Sequence, residues 1–143
     1  MKARDYILHE HVHSPCRVYP TLGAGGAWVP GATLVAGAAA GVFGAYADII
    51  PAGVLTEPFD IHWFSVEYIS NTAEYEVVIA VGAPGSEVEV GRFRFARLAV
   101  QNSENGFPFM MKVHAPNSRV RGKLASSAAG APSIRLCSHY HYY

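Results

Sequence analysis

Cysteine is scarce in this chain. Only Cys16 and Cys137 occur among 143 residues, near opposite ends. A small domain stapled by disulfides needs more of them. The pair is read as two free thiols, neighbours only if the terminal strands pair. Charge is scarce as well: Asp, Glu, Lys and Arg make up 15% of the residues, and 11 basic groups cancel 11 acidic ones. Such balance gives no whole-molecule attraction to nucleic acid or to an anionic membrane, and it gives only weak repulsion between copies, which suits a chain that works in an assembly. Disorder is excluded too, because half of the residues are apolar. An apolar signal-peptide core is missing, since residues 1–13 carry charges and histidines where it belongs. The uncharged stretch 22–47 has the length of a bilayer span. Gly and Ala dominate it and Pro30 interrupts it, so it is read as loop-like or closely packed backbone on the protein surface, without a membrane.

Helical periodicity is the last absence. Instead, runs of period two recur between turn residues. Candidate strands cover residues 6–13, 32–38, 46–50, 61–70, 74–81, 87–97, 109–114, 119–125 and 133–142. Turn chemistry fills 20–26, 51–53, 82–85, 102–108, 115–117 and 128–132. About eight short strands at this spacing predict an all-β fold, an antiparallel β-sandwich of jelly-roll-like kind. The length suits one domain: an N-terminal strand or arm over residues 1–18, then a single sandwich domain over 19–143.

One hairpin can be read in detail. A loop at 82–85 sets Ile79 opposite Val88 and Val77 opposite Val90. The apolar phase then slips from Val88 and Val90 to Phe93 and Phe95. A bulge at Gly91 repairs it. Tyr75 then faces Phe93, while on the outer side Glu76 meets Arg92 and Glu74 meets Arg94. A later strand puts Val120 and Leu124 on one face and Arg119, Arg121 and Lys123 on the other. No aromatic row interleaves these cations, so nucleic-acid binding is not expected.

Histidine supplies the one pattern that looks chemical. His9, His11 and His13 alternate on one strand face, as do Cys137, His139 and His141. Pairing of the terminal strands would gather five imidazoles and a thiol, which suit first-row transition metals. The nearby carboxylate of a cupin-type metal site is missing, because Glu10 points to the opposite face. The row is therefore read as a surface or interface feature, with no cofactor. Nucleophile motifs are missing as well. The serines lack a Gly-x-Ser-x-Gly elbow, Cys16 follows Pro15 without a helix start to activate it, and the glycines at 23, 25 and 26 lack the lysine of a phosphate loop. Glutamates 74, 76, 87 and 89 alternate with charge partners, as on a solvated strand face. No enzyme is expected. At Ile61–His62–Trp63–Phe64 both faces of a strand are apolar or aromatic, so both need cover, and one cover can be another subunit.

Two segments carry a resemblance. Tyr68-Ile-Ser-Asn-Thr-Ala-Glu-Tyr-Glu-Val-Val-Ile-Ala, followed by Glu87-Val-Glu-Val-Gly-Arg-Phe-Arg-Phe, resembles a strand pair in small virion proteins of tailed bacteriophages. Pro116-Asn-Ser-Arg-Val-Arg-Gly-Lys-Leu-Ala-Ser-Ser and the closing Ser138-His-Tyr-His-Tyr-Tyr are similar to the final strands of such proteins. The likeness covers the C-terminal two thirds. It implies a capsid decoration (cement) protein that binds the major capsid protein and stabilises the head, made in the host cytoplasm and located on the capsid surface. It also implies a homo-oligomer, with a trimer favoured. The residues expected at such contacts are His9, His11, His13, Arg119, Arg121, Lys123, Tyr140 and Tyr142. A tail or fibre component is the alternative within the same class. A cupin-like metal protein using His9, His11, His13, His139 and His141 is the alternative outside it.

Overall fold

The structure, a computed structural model, describes residues 15–97 and 105–143. Nine strands account for its regular elements, with one 3-10 turn at Ala24–Gly26. They are β1 (Arg17–Tyr19), β2 (Ala32–Val35), β3 (Ala47–Ile50), β4 (Phe59–Ile69), β5 (Glu74–Val81), β6 (Val88–Ala96), β7 (Asn105–Pro108), β8 (Val120–Ser126) and β9 (Ser133–Tyr142). All named pairs are antiparallel. One sheet runs β1-β9-β4-β7, with β2 also on β9; the other runs β3-β8-β5-β6. The expected all-β sandwich is thus observed.

Alternation explains most of the packing. On β9 the side chains of Ile134, Leu136 and Tyr140 enter the core, together with Phe59, Ile61, Phe64 and Val66 of β4. From the facing sheet come Ile49 and Ile50, Tyr75, Val77 and Ile79, and Val120 and Leu124. Both sheets thereby satisfy the period-two rule that one face is dry. An aromatic cluster closes the side where β6 and β7 meet. The Phe93 ring lies 4.9 Å from Phe107 and 5.8 Å from Phe64, and Phe95 stacks on Tyr75 at 5.2 Å.

Three strands break phase: β3 skips Ile49, β4 skips His62 and Glu67, and β6 skips Val90. On β4 the register skips His62, from Ile61↔Tyr140 to Trp63↔His139. Ile61 and Phe64 therefore both face the core despite opposite parity, which explains the two-sided character of that run. On β6 the skip falls at Val90, from Ala80↔Glu89 to Ile79↔Gly91. The bulge expected at Gly91 is not there: Gly91 pairs with Ile79, the extra residue is Val90, and the register lies two residues away from the expected one. Val81 faces Val88, Val77 faces Phe93 and Tyr75 faces Phe95. The observed turn, residues 82–87, is longer than the expected 82–85, and it keeps Glu87 near Gly85, whose amide donates to its carboxylate at 2.8 Å.

Two further expectations are corrected. Residues 105–108, read as turn, form β7 against β4. Residues 109–114, read as strand, follow β4 only irregularly, through Phe109 N–His62 O, Met111 N–Ile61 O and the His114–Phe59 bridge. Proline and glycine at 106–108 suggested a turn, but an edge strand tolerates both. At the N-terminal side, β1 includes Arg17 and Val18, so the expected boundary at residue 18 falls within a strand. The expected strand at 6–13 lies outside the described residues.

Candidate functional site

The outer face of the β9 sheet carries a cluster of histidine and cysteine side chains. Odd-numbered residues of β9 point outward, so Cys137, His139 and His141 share that face as the alternation required. The bulge on β4 brings His62 to the same side, and the approach to β1 adds Cys16. The rings of His62 and His141 stack at 4.1 Å, nearly parallel at 9°. Cys16 Sγ lies 3.5 Å from His62 Nε2 and 4.0 Å from His139 Nδ1. Cys16, His62 and His141 bring their ligand atoms within 4.8 Å of one another, which makes them a set able to hold a metal ion.

The surroundings set the proton affinities. Burial lowers the pKa of His62, and the neighbouring His141 lowers it further. Burial also lowers His139, whose Nε2 meets Ser65 Oγ at 2.8 Å, and raises the Cys16 thiol. Asp60 stands behind His141, with Oδ1 3.6 Å from Nδ1, while its Oδ2 accepts from the Tyr143 hydroxyl at 2.8 Å. Asp60 Oδ1 and His62 Nδ1 are buried and make no hydrogen bond.

Cys137 belongs to a different contact. Its thiol donates to Glu67 Oε1 at 2.7 Å, and the other oxygen of that carboxylate accepts from the Gly31 amide at 2.8 Å. Both cysteines are free. The thiol beside the histidines is thus Cys16, which the sequence reading had set aside. His62 was likewise read only as part of an aromatic run. Only the strand order makes these two residues neighbours, and no local spacing announces it. His9, His11 and His13 lie outside the described residues.

The remaining contact candidates are largely engaged inside the fold. Arg121 binds Asp48 at 2.9 Å, Glu87 and the Tyr46 carbonyl at 3.0 Å. Arg119 sits 3.6 Å from Asp48, and Lys123 lies over the rings of Phe43 and Tyr46 at 4.9 and 4.8 Å. Val78 and Ala80, the cross-strand partners of Lys123 and Arg121, are buried, as expected where long cationic stems lie over a sheet face. Tyr140 is turned into the core, where burial pushes its hydroxyl up to about 12. Tyr142 packs edge-on against it at 5.2 Å and carries Arg17 over its ring at 4.9 Å.

An open groove of about 490 Å³ runs beside β5 and β6, lined by Phe43, Tyr75, Glu76, Arg94, Phe95 and Ser126 among others. Its Glu76 and Arg94 neutralise each other at 2.6 Å. Among the described residues, no helix is long and apolar enough to cross a membrane. Comparison of the chain with protein-family models, with curated proteins and with solved structures returned no match.

Proposed function

We propose that the chain is a structural virion protein, a capsid decoration protein of jelly-roll type that seats on the major capsid protein as a homotrimer. The observation that carries this reading is the apolar surface the chain leaves outside. Met110 is 93% exposed, Trp28 68% and Leu22 63%, all on segments outside the named strands. Large apolar side chains left in water contribute little to the stability of an isolated domain, and gain free energy when another surface covers them. The strand order adds support. With β1 set aside, the sheets read β2-β9-β4-β7 and β3-β8-β5-β6, an order compatible with a jelly roll, a frame common in viral coats. Fold alone does not establish function, so the exposed loops carry the argument.

Many copies on a lattice would turn modest single contacts into durable attachment. The test is sedimentation of the purified chain with empty shells of a tailed-phage major capsid protein from the same source. Native mass spectrometry is expected to give a trimer. Saturable co-sedimentation should raise the temperature at which the shells open, and Trp28→Ser with Met110→Ser should abolish binding without unfolding the chain. A chain that stays in the supernatant beside intact shells overturns the reading, and copurification with tails would move it to a tail component.

A further inference from the structure

We propose that Cys16, His62 and His141 bind one borderline-soft transition-metal ion of the Zn²⁺ class, and that the ion fastens the start of β1 to the centre of the β9 sheet. The inference stands apart from the assembly reading, since a metal clasp serves any role of this fold.

The donor set comes first. One thiolate and two imidazoles suit Zn²⁺ and its neighbours, and three protein ligands leave a fourth position for water or an incoming group. The spacing comes second. Bonds of about 2.3 Å to sulfur and about 2.0 Å to nitrogen at a tetrahedral angle put the two donors about 3.5 Å apart. Cys16 Sγ and His62 Nε2 are separated by 3.5 Å. Third is the support behind the ligands. A metal-bound imidazole is held by an acceptor on its other nitrogen, and Asp60 Oδ1 lies 3.6 Å from His141 Nδ1, buried and without a hydrogen bond. Coordination at Nε2 keeps the proton on Nδ1, where it answers that carboxylate.

One adjustment is required. An imidazole donates in its own plane, so two rings stacked at 9° cannot point at a common ion. Side-chain torsions must fan them apart, while the strands that hold them stay paired. On binding, the Cys16 thiol releases its proton to solvent and the sulfur–metal bond takes its place, with no change of oxidation state. His139, 4.0 Å from Cys16 through Nδ1 and held by Ser65 through Nε2, flanks the open position. The ion would span three elements: the approach to a three-residue strand, β4, and β9. The short strand gains most from such a staple.

The test uses the full chain, stripped with a chelator and titrated with Co²⁺. One equivalent should give thiolate-to-cobalt charge-transfer absorption and the intense visible bands of tetrahedral coordination, and Zn²⁺ should displace it mole for mole. Cys16→Ser should remove the charge-transfer band with the circular dichroism unchanged, since Cys16 is exposed. His62→Asn and His141→Asn should each weaken binding by about tenfold or more. His9, His11 and His13 replaced together by Asn should leave stoichiometry and band intact. In the unaltered chain, Zn²⁺ should shield Cys16 from alkylation. Absence of the thiolate band, its persistence in Cys16→Ser, its loss in the triple variant, or equal alkylation with and without Zn²⁺ each overturns the inference.

Discussion

The two thiols show how far a residue's chemistry depends on what faces it. Cys137 is buried, and desolvation followed by the Glu67 carboxylate pushes its pKa up to about 12. Only the thiolate reacts with electrophiles. Cys16 is exposed and its thiol is raised by burial alone. In metal-free protein at mildly alkaline pH, iodoacetamide is therefore expected to modify Cys16 and spare Cys137 until the chain is unfolded. Peptide mass mapping would show this, and equal labelling in the folded chain would contradict the Cys137–Glu67 contact. The alternation of Cys137, His139 and His141 was legible because a strand's period of two is strict. The partnership of Cys16 with His62 was not, because it depends on which strands become neighbours and on a one-residue bulge.

Elements were read better than their partners. Ser133–Tyr142 and Glu74–Val81 carry clean alternation and turn residues at both ends, and they form strands over those same spans. The exchange at 105–114 has a different cause: Gly106 is required by the Trp63 ring lying over it, not by a turn. Hairpin register escaped the sequence because two turns of different length both satisfied the charges. The observed pairing gives Glu76 both arginines, at 2.7 Å from Arg92 and 2.6 Å from Arg94, and neither of these to Glu74. Gly31 offers a sharper test of element packing. A Cβ there would collide with the Leu136 carbonyl and crowd Glu67. Gly31→Ala should push β2 away from β9 and destabilise the fold by about 1–3 kcal/mol, measured by urea denaturation. An unchanged midpoint would mean that this backbone approach is looser than the structure has it.

For the molecule as a whole, acid is the condition that loosens the sandwich. Burial lowers the pKa of His114, whose Nε2 makes no hydrogen bond. The unfolded chain takes up that proton more readily than the folded one. The contribution is complete above the unfolded value near about 6.5 and is lost as pH falls through the lower folded value. Denaturation midpoints should drop as pH falls below about 6.5, and His114→Gln should make the drop shallower. A slope unaltered by that change would locate the sensitivity elsewhere. Fold class was legible at this scale because patterning alone settles it, whereas strand order was not, because nothing local says which strand lies beside which. That order has a consequence for synthesis on the ribosome. β5 and β6 can close their hairpin early and β4 can pair with β7, but β1 and β2 wait for β9, which emerges after the other described strands. A nascent chain that stops before residue 133 leaves β1 and β2 without any strand to pair with. A ribosome that stalls just before β9 can thus leave the β3-β8-β5-β6 sheet whole while the facing sheet lacks the strand that joins β1 and β2 to β4.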